Sequence, residues 1–141
     1  MELGLSDKVA MVTGAGSGIG AAVAARLCAE GARVAVVDIN QARAEAQAAT
    51  LREAGGDALA IGCDVTDEQS VTTMVERTTA HFGAVHILVN NAGFARDMRI
   101  TKMSVARIGQ PEDIADVVAF LASERAGYIS GDVLHVTGGR Y

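Results

Sequence analysis

Thr13-Gly14-Ala15-Gly16-Ser17-Gly18-Ile19-Gly20 follows the apolar run Val9-Ala10-Met11-Val12. The run reads as a buried strand. Ile19, Val23 and Leu27 then recur at the spacing of one helical face, with Gly31 as the stop. A glycine-rich turn between strand and helix lets the backbone turn sharply, approach a phosphate closely, and present it to the positive end of the helix. The spacing is G-x-x-x-G-x-G rather than G-x-G-x-x-G. Glycines also make ordinary strand-to-helix turns, so the position inside a βαβ unit is what singles out the phosphate reading.

The same alternation continues outward. Val34-Ala35-Val36-Val37 is a second buried strand ending at Asp38, and Asn40 can cap an alanine-rich helix running to about Ala54, before Gly55-Gly56. Ala58-Leu59-Ala60-Ile61 is a third strand. Thr66 and Gln69 have capping-box spacing, and Val71, Met74, Val75, Thr78 and Phe82 trace one face of the next helix. Ile87-Leu88-Val89 is a fourth strand, leading into Asn90-Asn91-Ala92-Gly93. Periodicity is weak from Asn91 to Gln110. Pro111 then suits a first helical turn with Glu112 and Asp113, followed by a stripe of Ile114, Val117, Val118 and Leu121. Val133-Leu134-His135-Val136 reads as a last strand before Thr137-Gly138-Gly139.

Strands without polar alternation, separated by helices, mean a parallel sheet covered on both faces. The expected architecture is α/β: a three-layer, doubly wound Rossmann-type parallel sheet of about five strands, order 3-2-1-4-5, in a single domain over residues 1–141. Right-handed crossovers would place the helix from Pro111 on the same face as the Thr66–Phe82 helix.

Composition narrows the function. Half of the 141 residues are hydrophobic but only 4% are aromatic, so the core is aliphatic; the net charge of −5 argues against a phosphate-backbone partner. No basic run or long apolar stretch points to a membrane, and Met1–Leu5 lacks the features of a secretory leader. Cys28 and Cys63 fit no metal or CxxC spacing and read as buried thiols, so a soluble, cytoplasmic protein is expected. His81, His86 and His135 show no metal-ligand spacing, and no G-x-S-x-G elbow is present.

Asp38 lies 18 residues beyond Gly20. A carboxylate at the end of the second strand can accept hydrogen bonds from the adenosine ribose hydroxyls and would repel a 2′-phosphate. Neither Ser17 nor Ile39 supplies a cation for that phosphate, although Arg43 is close in sequence. NAD(H) is therefore expected over NADP(H), with Asp38 as a turn or cap residue as the plainer alternative.

Thr13 to Gly20 resembles the TGxxxGIG signature of short-chain dehydrogenase/reductases. Cys63-Asp64-Val65 resembles the family's Asp-Val step after strand three, and Asn90-Asn91-Ala92-Gly93 its NNAG motif. Arg107 to Ala115, Phe120 to Ser123, Tyr128 to Gly131 and Gly138-Gly139 resemble its C-terminal segment, most like bacterial 3-oxoacyl-carrier-protein reductases. Residues 1–99 thus resemble the family's cofactor half, and 107–141 its C-terminal helix and strand. The resemblance implies a dinucleotide held by Gly14, Gly16, Ser17, Gly18, Ile19, Gly20, Asp38, Asp64, Val65, Asn90, Asn91, Ala92 and Gly93. It also implies self-association through residues 111–123 and 132–137, since the family forms a subunit contact there.

The chain departs from the family near residues 100–106, where it passes directly into the C-terminal segment. The family's catalytic Asn and Ser and its Tyr-x-x-x-Lys pair have no counterpart. The tyrosines are Tyr128 and Tyr141, the lysines Lys8 and Lys102, and Asp132 stands four residues beyond Tyr128. Tyr128 matches a family position with a packing role, and Lys102 and Ser104 read as a solvated loop. No catalytic residue and no metal ligand is assigned. The expectation is an NAD(H)-binding chain with weak or no hydride transfer. The alternatives are an oxidoreductase with a rebuilt or subunit-shared site, and an NAD-responsive interaction or regulatory module.

Overall fold

A computed structural model describes residues 2–93 and 109–138; Lys102, Ser104 and Tyr141 lie outside them. The chain alternates β1 (Val9–Thr13), α1 (Gly18–Ala29), β2 (Arg33–Asp38), α2 (Gln41–Glu53), β3 (Ala58–Gly62), α3 (Glu68–Phe82) and β4 (Ile87–Val89). After the undescribed stretch come α4 (Pro111–Ala122) and a 3₁₀ turn, Glu124–Ala126. The strands are parallel in the order β3-β2-β1-β4, with Met11 opposite Ala35 and Leu88.

Period-two alternation of the buried strands divides the core into two layers. Ala10, Val12, Val34 and Val36 face Val23, Ala24 and Leu27 of α1, Ala44, Ala48 and Leu51 of α2, and Ala115 and Ala119 of α4. Val9, Met11, Ala35, Val37 and Ile61 face Met74 and Phe82 of α3. Full burial of one such valine or leucine is worth about 1.5–3 kcal/mol, so these strands hold the sheet in place for whatever the loops at its carboxyl end carry. Asn40 caps α2 as expected, its side chain accepting the Arg43 N–H at 3.1 Å. Gly83, at φ +89°, ends α3 in the left-handed region that favours glycine.

Several expectations are corrected. Among the described residues the sheet has four strands, not five, because Val133–Val136 forms no ladder with any of them and all four side chains are exposed. The helix from Pro111 lies on the face of α1 and α2, opposite α3. The crossover rule constrains a helix only when a paired strand follows it, and none follows α4 among the described residues. What seats α4 is close approach at small residues: Ala115 and Ala119 are its buried positions, while Leu121 of the expected stripe is exposed. Asp116 adds an ion pair to Arg26 of α1 at 2.9 Å. The Thr66–Gln69 capping box does not form. Asp67 is the N-cap, accepting the Ser70 N–H at 2.8 Å, because the Thr66 hydroxyl is already given to Asp64 at 2.6 Å. Tyr128 is fully exposed rather than packed, since no described element lies over it. Of the two thiols expected to be buried, Cys63 is buried and Cys28 only half-buried, with desolvation raising the Cys28 pKa.

Candidate functional site

The carboxyl ends of β1, β2 and β4 converge on the glycine loop. Ala15 N–H donates to the Val37 carbonyl at 2.8 Å, which seats the loop over β2. Gly14 and Gly18 hold φ of +64° and +57°, the region a side chain disfavours. At Gly16 the difficulty is space instead: a Cβ there would stand 2.7 Å from both Arg43 Cβ and Asp38 Oδ2. At Gly20 it would stand 2.2 Å from the Gly14 carbonyl oxygen. The loop therefore folds back on the first turn of α1 as tightly as backbone permits. Ser17 is the N-cap residue of α1 but gives no side-chain cap, and Ser17, Gly18 and Ile19 are exposed, so the positive end of the helix is open to an acceptor from outside.

Asp38 is buried against this loop. Its Oδ2 accepts the Gly16 N–H at 3.0 Å and its Oδ1 accepts the Asn40 N–H at 2.9 Å. A carboxylate has about four acceptor directions, so roughly two remain for hydroxyl donors. The exposed guanidinium-bearing Arg43 starts beside Gly16, on the same rim.

Asn91 ties β4 to β1. Its amide donates to the carbonyls of Thr13 at 3.0 Å and Gly14 at 3.3 Å. The buried Thr13 hydroxyl accepts the N–H groups of Asn91 and Ala92, each at 3.1 Å, and donates to the Val89 carbonyl at 3.4 Å. One donor and two acceptor positions are thus all used. Asn90, Ala92 and Gly93 lie exposed beside this clamp.

Asp64 and Val65 continue from β3, one strand further out, where Cys63 N–H donates to the Asp38 carbonyl at 3.0 Å. The Asp64 carboxylate accepts the Thr66 hydroxyl and N–H, and these bonds hold its pKa below the ordinary aspartate value. Val65 is exposed.

The predicted residues thus form one rim: Gly14, Gly16, Asp38, Asn91 and Ala92 are linked directly, and Asp64, Val65 and Asn90 flank them. Sequence reasoning left Thr13 out of the site. Its signal is a lone hydroxyl closing an otherwise apolar buried strand. His86 is structural, its Nδ1 accepting the Val9 N–H at 2.9 Å, and His81 packs edge-on against Phe82. Among the described residues no group of three metal-ligating side chains occurs, and no helix is long and apolar enough to cross a membrane.

Comparison with known proteins bears on this rim. The family model described as short chain dehydrogenase matches residues 8–124. A short-chain reductase, NovJ, of Streptomyces niveus is 50% identical over 97 residues, covering 69% of this chain and 37% of the relative. A D-threitol dehydrogenase of Mycolicibacterium smegmatis is 50% identical over 92 residues, covering 65% of this chain and 35% of that one. The chain thus matches little more than a third of these relatives' length. A hydroxysteroid dehydrogenase crystal structure from Escherichia coli superposes with a TM-score of 0.89 at 25% identity, covering 99% of each chain.

Proposed function

The chain belongs to the short-chain dehydrogenase family, and from that premise we propose that it binds NAD(H), in preference to NADP(H), with weak or no hydride transfer. The observation that carries the reading is the pair Asp38–Gly16: a buried carboxylate anchored to the N–H of the glycine loop, with acceptor capacity left over. The residues fit the group. Gly16 and Gly20 leave room that a Cβ would take, and the exposed, uncapped start of α1 suits a pyrophosphate. Asp38 would take the adenosine ribose, Asp64 and Val65 would border the adenine, and Asn90 to Gly93 would line the next ribose.

Bound NAD(H) would supply a hydride acceptor or donor. The chain's own residues position and bind; none among the described residues is placed to move a proton at a substrate carbonyl. The family's Tyr-x-x-x-Lys pair has no counterpart, since Asp132 stands four residues beyond Tyr128 and Tyr128 projects fully into solvent. General acid/base help of that kind is worth about 10²–10⁴ in rate. Two free thiols suit a reducing compartment, and a cytoplasmic location belongs to the same reading. Calorimetric titration with NADH and NADPH tests the binding half: NADH is expected to bind more tightly, and tighter NADPH would overturn the assignment of Asp38.

A further inference from the structure

We infer that the outer edge of β4 takes up the Val133–Val136 segment of a second copy of this chain, as a fifth strand supplied in trans. On one side β4 pairs with β1; on the other, no strand lies among the described residues. Leu88, at the centre of that edge, points away from the α1 and α4 layer and is 54% exposed. Val133, Leu134 and Val136 are 73%, 43% and 37% exposed in a segment that belongs to no sheet. An unpaired edge and an unpaired apolar segment are complementary liabilities, and each is satisfied by the other.

Topology decides between the same chain and another. The connections from β1 to β2 and from β2 to β3 run one way with α1 and α2 on one face. The connection from β3 to β4 runs the other way with α3 on the opposite face, so all three have the same hand. With α4 on the α1 face, a strand from the same chain laid beyond β4 would reverse that hand, which only about 2% of such crossovers do. A segment from a second copy meets no such restriction.

Side-chain chemistry fits a parallel register with Leu134 opposite Leu88. Val133 then falls opposite Ile87, so apolar residues meet along the pair. Exchange is reciprocal under twofold symmetry, so each copy both gives and receives a strand. The exchange would cover the exposed Leu88 and Leu134 of each copy.

Sedimentation of the wild-type chain at micromolar concentration is expected to give twice the 14.5 kDa of the chain. Leu88→Glu and Leu134→Lys should each give the monomer, with cooperative unfolding retained because both side chains are largely exposed. An equimolar mixture of the two should recover a dimer, because the hybrid holds one charge-paired contact and one wild-type contact. In the wild-type protein, exchange of the Leu88, Val89 and Leu134 amides should slow as concentration rises through the dimer midpoint. A monomeric wild type would overturn the inference. So would dissociation by Leu134→Lys but not by Leu88→Glu, which would mean contact between the last segments alone. Failure of the mixture to recombine, or amide exchange indifferent to concentration, would also overturn it.

Discussion

Asn91 donates twice to Thr13, its side-chain amide to the Thr13 carbonyl at 3.0 Å and its backbone N–H to the Thr13 hydroxyl at 3.1 Å. The clamp joins the ends of β1 and β4 and sets where the glycine loop starts. Thr13→Val keeps the shape but leaves the Ala92 N–H without its acceptor, while the Asn91 N–H keeps the Val89 carbonyl at 3.1 Å. A fully buried unsatisfied polar group costs about 1–3 kcal/mol, and this donor is only partly buried, so stability in urea should fall by about 1 kcal/mol. NADH affinity should weaken as well. Unchanged unfolding midpoints would show that the clamp is replaced by water at no cost.

The glycines of the loop should respond differently to the same substitution. Gly18 sits at φ +57° with nothing within 4 Å of a would-be Cβ, so Gly18→Ala costs only the left-handed backbone, about 1–2 kcal/mol. In Gly20→Ala the new methyl meets the Gly14 carbonyl at 2.2 Å, and backbone must move. Overpacking of that kind costs about 1–3 kcal/mol or more and displaces the loop itself. Chemical denaturation and NADH titration of both variants check this: Gly20→Ala should lose binding outright. Retained binding there, at wild-type stability, would contradict the tight fold of the loop.

The reach of sequence reading follows from where the physical signal is local. The four strands and three helices up to Val89 announce themselves through unbroken apolar runs, glycine stops and the Asn40 cap, all set within a few residues. The rim was legible for the same reason, since Gly14 to Gly20, Asp38 and Asn90 to Gly93 each terminate a strand. Past Gly93 that signal fails. Val133–Val136 has the composition of a strand, but composition cannot say whether an edge is available on the correct hand. Likewise Ala115 and Ala119 bury themselves because α1 approaches closely, a tertiary fact that overrides the larger residues of the expected stripe. Thr66 lost its capping role to a competitor two residues away, Asp64, which only the folded turn brings within 2.6 Å.

Asp38→Ala should weaken NADH binding and narrow the difference from NADPH. The variant removes the acceptor for ribose hydroxyls and the charge that would repel a 2′-phosphate, while Arg43 stays on the same rim. It also frees the N–H groups of Gly16 and Asn40, so stability should drop by about 1 kcal/mol or more. Asp38→Asn keeps one acceptor oxygen and should fall between wild type and Asp38→Ala for NADH. Equal loss of NADH and NADPH affinity in both variants would make the effect one of loop disorder rather than of recognition.

Asp64 should carry a measurable pH signature. The Thr66 hydroxyl, first, and the Thr66 N–H favour the ionised carboxylate, so its folded-state pKa lies below the unfolded one. A carboxylate of this kind contributes its stability above the unfolded value and loses it as pH falls through the depressed folded value. Thr66→Val removes the hydroxyl donor, and the Asp64 carboxyl should then titrate at higher pH, followed by carbon-detected NMR. A titration midpoint that does not rise would mean that the short contact with Thr66 contributes nothing to the ionised form.

Hydride transfer itself is the sharpest test of the functional reading. NADH oxidation should be at background with ketones and aldehydes, and NAD reduction at background with secondary alcohols. The reason is specific: the rim would organise a dinucleotide, but nothing among the described residues offers an acid beside it, and Tyr128 stands in solvent. Loss of general acid/base help removes about 10²–10⁴ in rate, before any loss from an incomplete substrate pocket. The measurement needs both cofactors and a panel of carbonyl compounds, with Asp38→Ala and Gly20→Ala run beside the wild type. A contaminating dehydrogenase would ignore those substitutions. Sustained turnover that falls with both variants in proportion to their loss of NADH binding would instead show a working site, with the proton supplied by water or by a second copy of the chain.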